Sequence, residues 1–274
     1  MTSVDITAVG DLLIQAGREI IMPRFRRLEA HDVREKSQAD LVTVADEEAE
    51  AFLTPRLEAL LPGSRTVGEE AVGRNPALLD QLRQPGLRWL IDPISGTSNF
   101  AAGWPFFASM IALILDGDAV ASWILDVPGE TLVTASKGEG AWLMSERGYG
   151  MRLQMTKPPS LAHLSGAANL RMSNRSLVSR LAHRLDRTAG LMCLRCLGLE
   201  YLSLAQGQLH YGIYSGRHPW DFAPGSLLIT EAGGVAKRLD GRSYCAADPL
   251  NTAPLLLACG EEQWDWLKRE IFDP

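Results

Sequence analysis

The stretch that decides the fold is residues 89–100, which reads WLIDPISGTSNF. Residues 88–92 form a short apolar run that ends in an acid, Asp92, and such a run is typical of a buried strand. A strand that ends in Asp92-Pro93 is usually explained as a cap. Taken alone, this segment has a plain structural explanation, because caps and turns use these residue types routinely.

Around this stretch, the first half of the chain is predicted to be helices packed on a mostly antiparallel sheet. Apolar residues recur at helical spacing over residues 6–20, and Pro23 marks the end of that helix. A second helix starts at the acids that begin with Asp46, and a kink or a break is expected within it at Pro55. Apolar runs on both sides of Asp116-Gly117-Asp118 predict a hairpin.

The second half alternates between strand-like and helix-like segments, which favours an α/β lobe. Helices are expected over residues 173–187, 198–207, 221–232 and 261–271, and strands over residues 161–168, 191–197, 210–214 and 253–258. A lobe boundary is predicted within residues 151–160, where Lys157-Pro158-Pro159 interrupts regular structure. The chain is therefore predicted to be one domain, residues 1–274, with lobes of about 1–150 and 151–274.

The composition excludes several classes of protein. The 274 residues are 46% hydrophobic, which argues against a disordered, collagen-like or disulfide-stapled chain. The formal net charge of −6 argues against a nucleic acid polymer as partner. No apolar run is long enough to span a membrane. The first residues lack the pattern of a signal peptide, so we expect a cytoplasmic protein without a membrane partner.

The four cysteines stand at positions 193, 196, 245 and 259. Cys193 and Cys196 form a C-x-x-C pair, which would suit a zinc or redox module as a third class of function. The second pair has no C-x-x-C spacing. We therefore expect all four to be buried free thiols.

Two further segments carry acids, namely Gly68-Glu69-Glu70 and Trp220-Asp221-Phe222-Ala223-Pro224-Gly225, the latter running into Thr230-Glu231-Ala232-Gly233-Gly234. Together with residues 89–100 they resemble, in order and spacing, the motifs of the inositol monophosphatase family, the lithium-sensitive, magnesium-dependent sugar phosphatases. Residues 36–50 and Gly138-Glu139-Gly140-Ala141 match two supporting segments. The chain is identified as a member over nearly its whole length.

The resemblance implies the layered α/β/α/β/α sandwich of the sugar phosphatases, an α/β fold, and commonly a homodimer. It also implies two or more Mg²⁺ ions, which are hard cations that prefer oxygen ligands. Glu69, Asp92 and the backbone carbonyl of Ile94 would hold the first ion. Asp92 would bridge to a second ion, which Asp221 and the residue at position 95 would also hold.

The resemblance also assigns the chemistry of phosphate ester hydrolysis. Asp46 and Thr97 would orient and activate the attacking water, with Glu69 as a further catalytic carboxylate. The amides of Gly96 and Thr97 would cradle the phosphate at a helix start. Lys36 and Glu70 match family residues close to the metals that are not direct ligands.

The sequence departs from the family pattern at Ser95, where the family has Asp. Serine offers only a neutral hydroxyl, so the second cation site loses a charge and a strong ligand. Three explanations stay open: a substitution made to trap a substrate complex, a natural enzyme that works with a weakened second site, or a protein that keeps binding without hydrolysis.

A second departure concerns the substrate. Members that act on inositol phosphates carry a carboxylate seven residues before the motif aspartate, and that position is Tyr214 here. Inositol 1-phosphate is therefore in doubt as the preferred substrate. A family segment that often reads Gly-Ser-Ala-Ala is Arg195-Cys196-Leu197-Gly198 in this chain. Glu200 and Arg217 are candidates for binding the alcohol part, with a surface pair as the alternative.

The sequence thus supports two hypotheses. The first is a magnesium-dependent phosphomonoesterase that acts on a small polyol, sugar or amino-alcohol phosphate. The second is a noncatalytic protein that binds a phosphorylated metabolite on the same fold. Ser95 favours the second hypothesis, whereas the Asp46–Thr97 pair favours the first, because a pure binder has no need to activate water.

Overall fold

The computed structural model describes residues 4–37, 40–145, 148–168, 179, 182–216, 218–248 and 253–272. Most of the helix expected over residues 173–187 lies outside these ranges, and Leu185–Arg187 forms a 3₁₀ turn. In the described chain the helices are α1 (Ile6–Ala16), α2 (Val44–Leu60), α3 (Glu69–Arg74), α4 (Thr97–Ala101), α5 (Leu197–Ala205), α6 (Pro219–Glu231) and α7 (Glu261–Leu267). A π-helical turn, Gly17–Ile21, and a short helix, Met22–Arg24, extend α1, and a π-helical turn, Lys268–Phe272, follows α7.

The strands form a hairpin and two larger sheets. The hairpin pairs β1 (Val33–Ser37) with β2 (Asp40–Thr43). The seven-stranded sheet consists of β3 (Arg65–Gly68), β4 (Leu87–Ser95), β5 (Ala108–Leu115), β6 (Asp118–Asp126), β7 (Thr131–Ser136), β8 (Gly140–Ser145) and β9 (Gly148–Leu153). The five-stranded sheet has the order β11 (Gly190–Met192), β10 (Ser165–Ala168), β12 (Tyr211–Tyr214), β14 (Leu255–Ala258) and β13 (Val235–Arg238).

The seven-stranded sheet is antiparallel except where β3 pairs with β4, as the hairpin signals predicted. Its strands follow the chain in order. Short connections join β5 to β9, whereas α3 lies between the parallel strands β3 and β4, and α4 lies between β4 and β5. The sheet ends with β9, close to the lobe boundary expected within residues 151–160.

The elements stack in five layers. Helices α1 and α2 pack on one face of the seven-stranded sheet, and α5 and α6 lie between the two sheets. Helix α7 packs on the five-stranded sheet, where Trp264 Nε1 donates a hydrogen bond to the Leu256 carbonyl at 3.1 Å. This is the α/β/α/β/α sandwich. One continuous apolar core joins the seven-stranded sheet to the five-stranded sheet through α5 and α6, which favours the single-domain interpretation.

Of the kink or break expected at Pro55, the break does not occur, because helix α2 continues through this residue. Proline removes one helical N–H and leaves the carbonyl of Ala51 without its usual donor. Both Pro55 and Ala51 are exposed, so water can satisfy that carbonyl and the helix continues.

Gly225 tests the packing of the central layer. A Cβ at this position would overlap the ring of Tyr201, a fully buried residue of α5. Although alanine is ordinarily the better helix former, Gly225→Ala should lower the free energy of unfolding by about 1–3 kcal/mol because of overpacking. Urea denaturation measures this change. Gly190→Ala is the control, because nothing lies within 4 Å of the added Cβ, and an equal loss in both variants would contradict the packing argument.

Candidate active site

The first two acids of the site come together at one edge of the seven-stranded sheet. Strand β3 runs parallel to β4, and Gly68 pairs with Ile91. Glu69 and Asp92 each follow the paired residue, so both lie at the same end of this parallel pair, although β4 itself continues to Ser95. The pairing of β4 with β5 shifts between Asp92 and Ser95, where Pro93 lacks the N–H that a regular ladder needs.

Gly96 turns the chain from β4 into α4. Its φ of 94° lies in the left-handed region, and a Cβ there would approach the Phe106 carbonyl oxygen to 2.9 Å. The Gly96 carbonyl accepts hydrogen bonds from the N–H groups of Asn99 and Phe100, at 2.8 and 3.1 Å. These bonds place the Gly96–Thr97 peptide at the start of α4, where a helix leaves backbone N–H groups unpaired.

Asp46 lies in the first turn of α2 and is almost completely buried. Its Oδ2 accepts hydrogen bonds from the Thr43 N–H at 2.8 Å and the Thr43 hydroxyl at 2.6 Å. Its Oδ1 accepts from the Thr97 hydroxyl at 3.1 Å, and the same hydroxyl lies 2.8 Å from the Ile94 carbonyl oxygen. The helix start thus holds one carboxylate oxygen and leaves the other facing Thr97.

Glu69 and Glu70 occupy the first turn of α3, where their charges suit the helix dipole. Lys36 Nζ donates to Glu69 Oε1 at 2.6 Å and to Glu70 Oε1 at 3.0 Å. Burial lowers the pKa of Lys36, but the two carboxylates outweigh it and hold that pKa above its ordinary value. Burial raises the pKa of Glu70 to about 7, and the charge of Glu69 adds to this effect.

A cavity of about 420 Å³ opens beside these groups. The predicted site residues that line it are Glu69, Asp92, Ile94, Ser95, Gly96, Thr97, Glu200 and Asp221. Asp221 reaches the cavity from the first turn of α6. Three further predicted residues lie behind this lining. Asp46 contacts the lining residue Thr97, and Lys36 bonds both the lining residue Glu69 and Glu70. The structure therefore brings the predicted acids of three separate segments into one cavity.

The charge of these acids suits a divalent cation. Asp92 is almost completely buried, and its Oδ1 has no hydrogen-bond partner among the described residues. Desolvation, together with the charges of Glu69, Asp221 and Asp46, raises the pKa of Asp92 well above its ordinary value. Desolvation also raises the pKa of Asp221, with Glu69 adding to it. An unpaired buried carboxylate oxygen beside two more carboxylates is a donor set that Mg²⁺ can satisfy.

Burial raises the pKa of Asp46 to about 8, against the lowering effect of its bonds to Thr43. Within the described chain, no three His, Cys, Asp or Glu side chains already converge as a formed metal centre. The fit to a cation therefore rests on the donor chemistry of Glu69, Asp92 and Asp221 and on the orphaned Asp92 oxygen.

Comparisons with known proteins agree with this site. A model of the inositol monophosphatase family matches residues 3–269. The chain belongs to the inositol monophosphatase family. It is 31% identical to inositol-1-monophosphatase of Bacillus subtilis over 75% of each chain. It is 34% identical to the SuhB inositol-1-monophosphatase of Mycobacterium tuberculosis, over 73% of this chain and 70% of that one.

Solved structures of the family share the fold. Thermotoga maritima IMPase superposes with a TM-score of 0.77 at 22% identity, covering 96% of this chain and 95% of that chain. The suhB protein of Bartonella henselae gives a TM-score of 0.77 at 25% identity, covering 97% and 98%. Membership places the chain in a family of phosphatases, which are phosphoric monoester hydrolases, and magnesium is the cofactor expected for the family. Among the described residues, no helix has the length and apolar character needed to cross a membrane.

Ser95, the departure from the family motif, is buried at the cavity wall. Its hydroxyl accepts a long hydrogen bond, 3.4 Å, from the Gly198 N–H at the start of α5. Its carbonyl accepts from the Cys196 thiol at 3.2 Å. The hydroxyl thus has a neutral backbone group as its partner.

The three candidates for the alcohol part of a substrate have different surroundings. Glu200 lines the cavity, and its Oε1 accepts from the Leu194 N–H at 2.8 Å. Tyr214 is fully buried beneath Glu200 and is not among the described lining residues. Burial raises the pKa of Glu200 to about 7, although the neighbouring backbone and Tyr214 oppose this. Arg217 lies outside the described residues.

The structure also places residues at the site that sequence reasoning missed. Asp40, Arg195 and His218 line the cavity, and His218 stacks on Trp220 with ring centroids 4.7 Å apart. Glu50 accepts hydrogen bonds from the N–H groups of Glu70 and Ala71, at 2.7 and 2.8 Å. A signal for Glu50 was available, because it lies four residues after Asp46 and therefore on the same face of α2.

All four cysteines are free thiols, but two are not buried as expected. Cys196 and Cys259 are buried, whereas Cys193 is exposed and Cys245 is half-buried. Cys193 and Cys196 lie in the segment that lines the cavity before α5. Its place on this cavity wall accounts for the exposure of Cys193. Burial raises the pKa of the Cys196 thiol far above its ordinary value, which disfavours a reactive or metal-binding thiolate there.

Glu50 is predicted to hold Glu69 in place through the start of α3. Glu50→Gln keeps the shape of the side chain but removes the charge that pairs with two backbone N–H groups. We expect the free energy of unfolding to fall by about 1–2 kcal/mol, and Mg²⁺ affinity to weaken with it. Urea denaturation and calorimetric titration with Mg²⁺ measure the two effects. Glu48→Gln is the control, because Glu48 forms only an exposed ion pair with Arg24. If Glu50→Gln and Glu48→Gln had equal free energies of unfolding and equal Mg²⁺ affinities, the role of Glu50 would be contradicted.

Proposed function

We propose that this chain is a magnesium-dependent phosphomonoesterase that acts on a small polyol, sugar or amino-alcohol phosphate. The observation that supports this most directly is the 3.1 Å contact between the Thr97 hydroxyl and Asp46 Oδ1, beside a cavity whose lining includes Glu69, Asp92 and Asp221. A hydroxyl–carboxylate pair at that place can orient and deprotonate a water. Relatives named inositol-1-monophosphatase support the same class of reaction.

Magnesium, when bound, supplies positive charge that offsets the charge on the phosphoryl oxygens and on the leaving oxygen. Glu69, Asp92 and the Ile94 carbonyl would hold one ion, and Asp92, Ser95 and Asp221 a second. With a neutral Ser95, we propose that the second position binds more weakly than the first.

In the proposed reaction, a water donates a hydrogen bond to the Thr97 oxygen while the Thr97 hydroxyl donates to Asp46 Oδ1. The bonds from Thr43 to Oδ2 keep the carboxylate oriented during this step. The water oxygen forms a bond to phosphorus in line with the ester bond that breaks, and its proton passes through Thr97 to Asp46. The alcohol leaves as an alkoxide that takes a proton from solvent, and no covalent enzyme intermediate forms.

The remaining groups position the substrate. The amides of Gly96 and Thr97 face the phosphate at the start of α4. Lys36 offsets the charges of Glu69 and Glu70. A cavity of about 420 Å³ accommodates a small ester. A homodimer and a cytoplasmic location stay predictions from the resemblance and the sequence.

The alternative is a noncatalytic protein that binds a phosphorylated ligand on the same fold. The observation that favours it is Ser95, whose hydroxyl contacts the Gly198 N–H in place of adding a carboxylate to the second cation position. The two functions differ in turnover, which one substitution can test.

Ser95→Asp restores the carboxylate of the family motif. We expect it to tighten Mg²⁺ binding about 10–100-fold and to raise phosphate release, because a missing ligand of the second ion is replaced. Phosphate release is measured with Mg²⁺ and with EDTA on inositol, histidinol and glycerol phosphates. Ser98→Asp is the control, since it adds the same charge elsewhere on the cavity wall. Release by neither the unchanged chain nor Ser95→Asp would favour the noncatalytic alternative.

Thr97 tests the proposed route of the proton. Thr97→Val keeps the shape and removes the hydroxyl, so we expect kcat to fall about 100-fold or more, with a smaller change in KM. Thr97→Ser keeps the hydroxyl and should retain most of the turnover. Steady-state kinetics with Mg²⁺ measure both variants. Unchanged kcat in Thr97→Val would overturn the assignment.

A further inference from the structure

Arg195 stands at the mouth of the cavity. Among the described residues that line the cavity, it is the only lysine or arginine. Its side chain is exposed, and it forms no ion pair with any residue in the described part of the chain. A guanidinium in this setting is available to bind an anion.

The backbone that presents Arg195 is held on both sides of the preceding residue. The Leu194 N–H donates to Glu200 Oε1 at 2.8 Å, and the Leu194 carbonyl accepts from Asn99 Nδ2 at 2.8 Å. Arg195 itself has a φ of 55°, which is unfavourable for a side chain with a Cβ. Two side chains therefore fix a strained backbone at a cavity wall, and strain of this kind is often kept at functional sites.

Arg195 is also close to the phosphate cradle. A Cβ on Gly96 would lie 3.3 Å from the Arg195 carbonyl oxygen, so the two backbones are in contact. An anion held by Arg195 would therefore share the cavity with a phosphate held at Gly96 and Thr97.

Two further positions, one in the cavity wall and one buried next to the lining residue Glu200, change the local charge in the same direction. Ser95 is neutral where the family motif has a carboxylate, and Tyr214 is neutral and buried where inositol phosphate enzymes carry another. Each change removes a negative charge that would repel a second anion. Arg195 adds a positive charge on the segment that often holds only small residues in the family.

We propose that Arg195 determines specificity by binding a second anionic group, so that the preferred substrates are phosphate esters that also carry a carboxylate or another phosphate. The proposal rests on the proposed function and narrows its substrate class. Neutral polyol phosphates lack the group that Arg195 would bind.

Two matched pairs of ligands test the proposal. 3-Phosphoglycerate differs from glycerol 3-phosphate by a carboxylate, and 1,3-propanediol bisphosphate differs from the monophosphate by a second phosphate. Calorimetry with Mg²⁺ measures binding in the Asp46→Asn background, so that turnover does not consume the ligand. In at least one pair, we expect the ligand with the additional carboxylate or phosphate to bind about 10-fold more tightly than its partner. The pair that shows the preference identifies the carboxylate or the phosphate as the group recognised.

Arg195→Asn removes the charge and keeps a residue that tolerates positive φ, and it should bring the affinity ratio to within about twofold of unity. Arg26→Asn is the matched control, because Arg26 also has a positive φ of 61° and does not line the cavity. It should keep the original ratio. Equal binding of both members of both pairs, or an unchanged ratio in Arg195→Asn, overturns the proposal.

Phosphate release is then measured with the chain in which Asp46 is intact. This measurement distinguishes a failure of the present proposal from a failure of the proposed function. A preference that depends on Arg195 without release of phosphate would support the binding role and contradict the catalytic one. Hydrolysis of glycerol 3-phosphate without any preference would do the reverse. Failure to bind or hydrolyse any of the four esters would overturn both.

Discussion

The structure depends on keeping carboxyl groups inside the protein at one edge of the seven-stranded sheet. Asp46 and Asp92 are almost completely buried, and burial without compensation is costly for a carboxylate. The acids near the cavity have different local surroundings. Asp46 is bonded at the start of α2, Glu69 pairs with Lys36, and Asp221 lies in the first turn of α6. Asp92 keeps one oxygen without a partner among the described residues.

The layered fold is what allows this arrangement. Strands β3 and β4 deliver Glu69 and Asp92 because they are parallel, in a sheet whose other pairs are antiparallel. Helix α6 delivers Asp221 because it lies between the two sheets and begins at the cavity. Helix α2 delivers Asp46 from the other side of the same sheet, through the contact with Thr97. Four segments distant in sequence are needed, so the site exists only in the complete sandwich.

The sequence predicted the parts of this arrangement that depend on local pattern. The hairpin at residues 116–118 follows from the properties of its turn residues, and the acids are recognisable because their motifs are contiguous. The backbone next to Arg195 depends on a contact with the distant Asn99, which no local pattern showed, and the helical spacing of Glu50 from Asp46 indicated its face of α2 but not its partners at the start of α3. Helix α2 does not break at Pro55, because the cost of a helical proline depends on whether water reaches the freed carbonyl.

The net charge of −6 says little about what the cavity binds. A bound divalent cation would be the largest local charge and would reverse the effect of the acids around it. What then distinguishes one member of the family from another is the charge of the groups that surround this centre. Here Ser95 and Tyr214 are neutral, and Asn99 and Glu200 hold the backbone of Leu194 next to Arg195. These differences make the wall of the cavity less negative while the acids at its base are retained. The proposed weakening of one cation position and a lower repulsion toward a doubly anionic ester are therefore two consequences of the same neutral residue, Ser95.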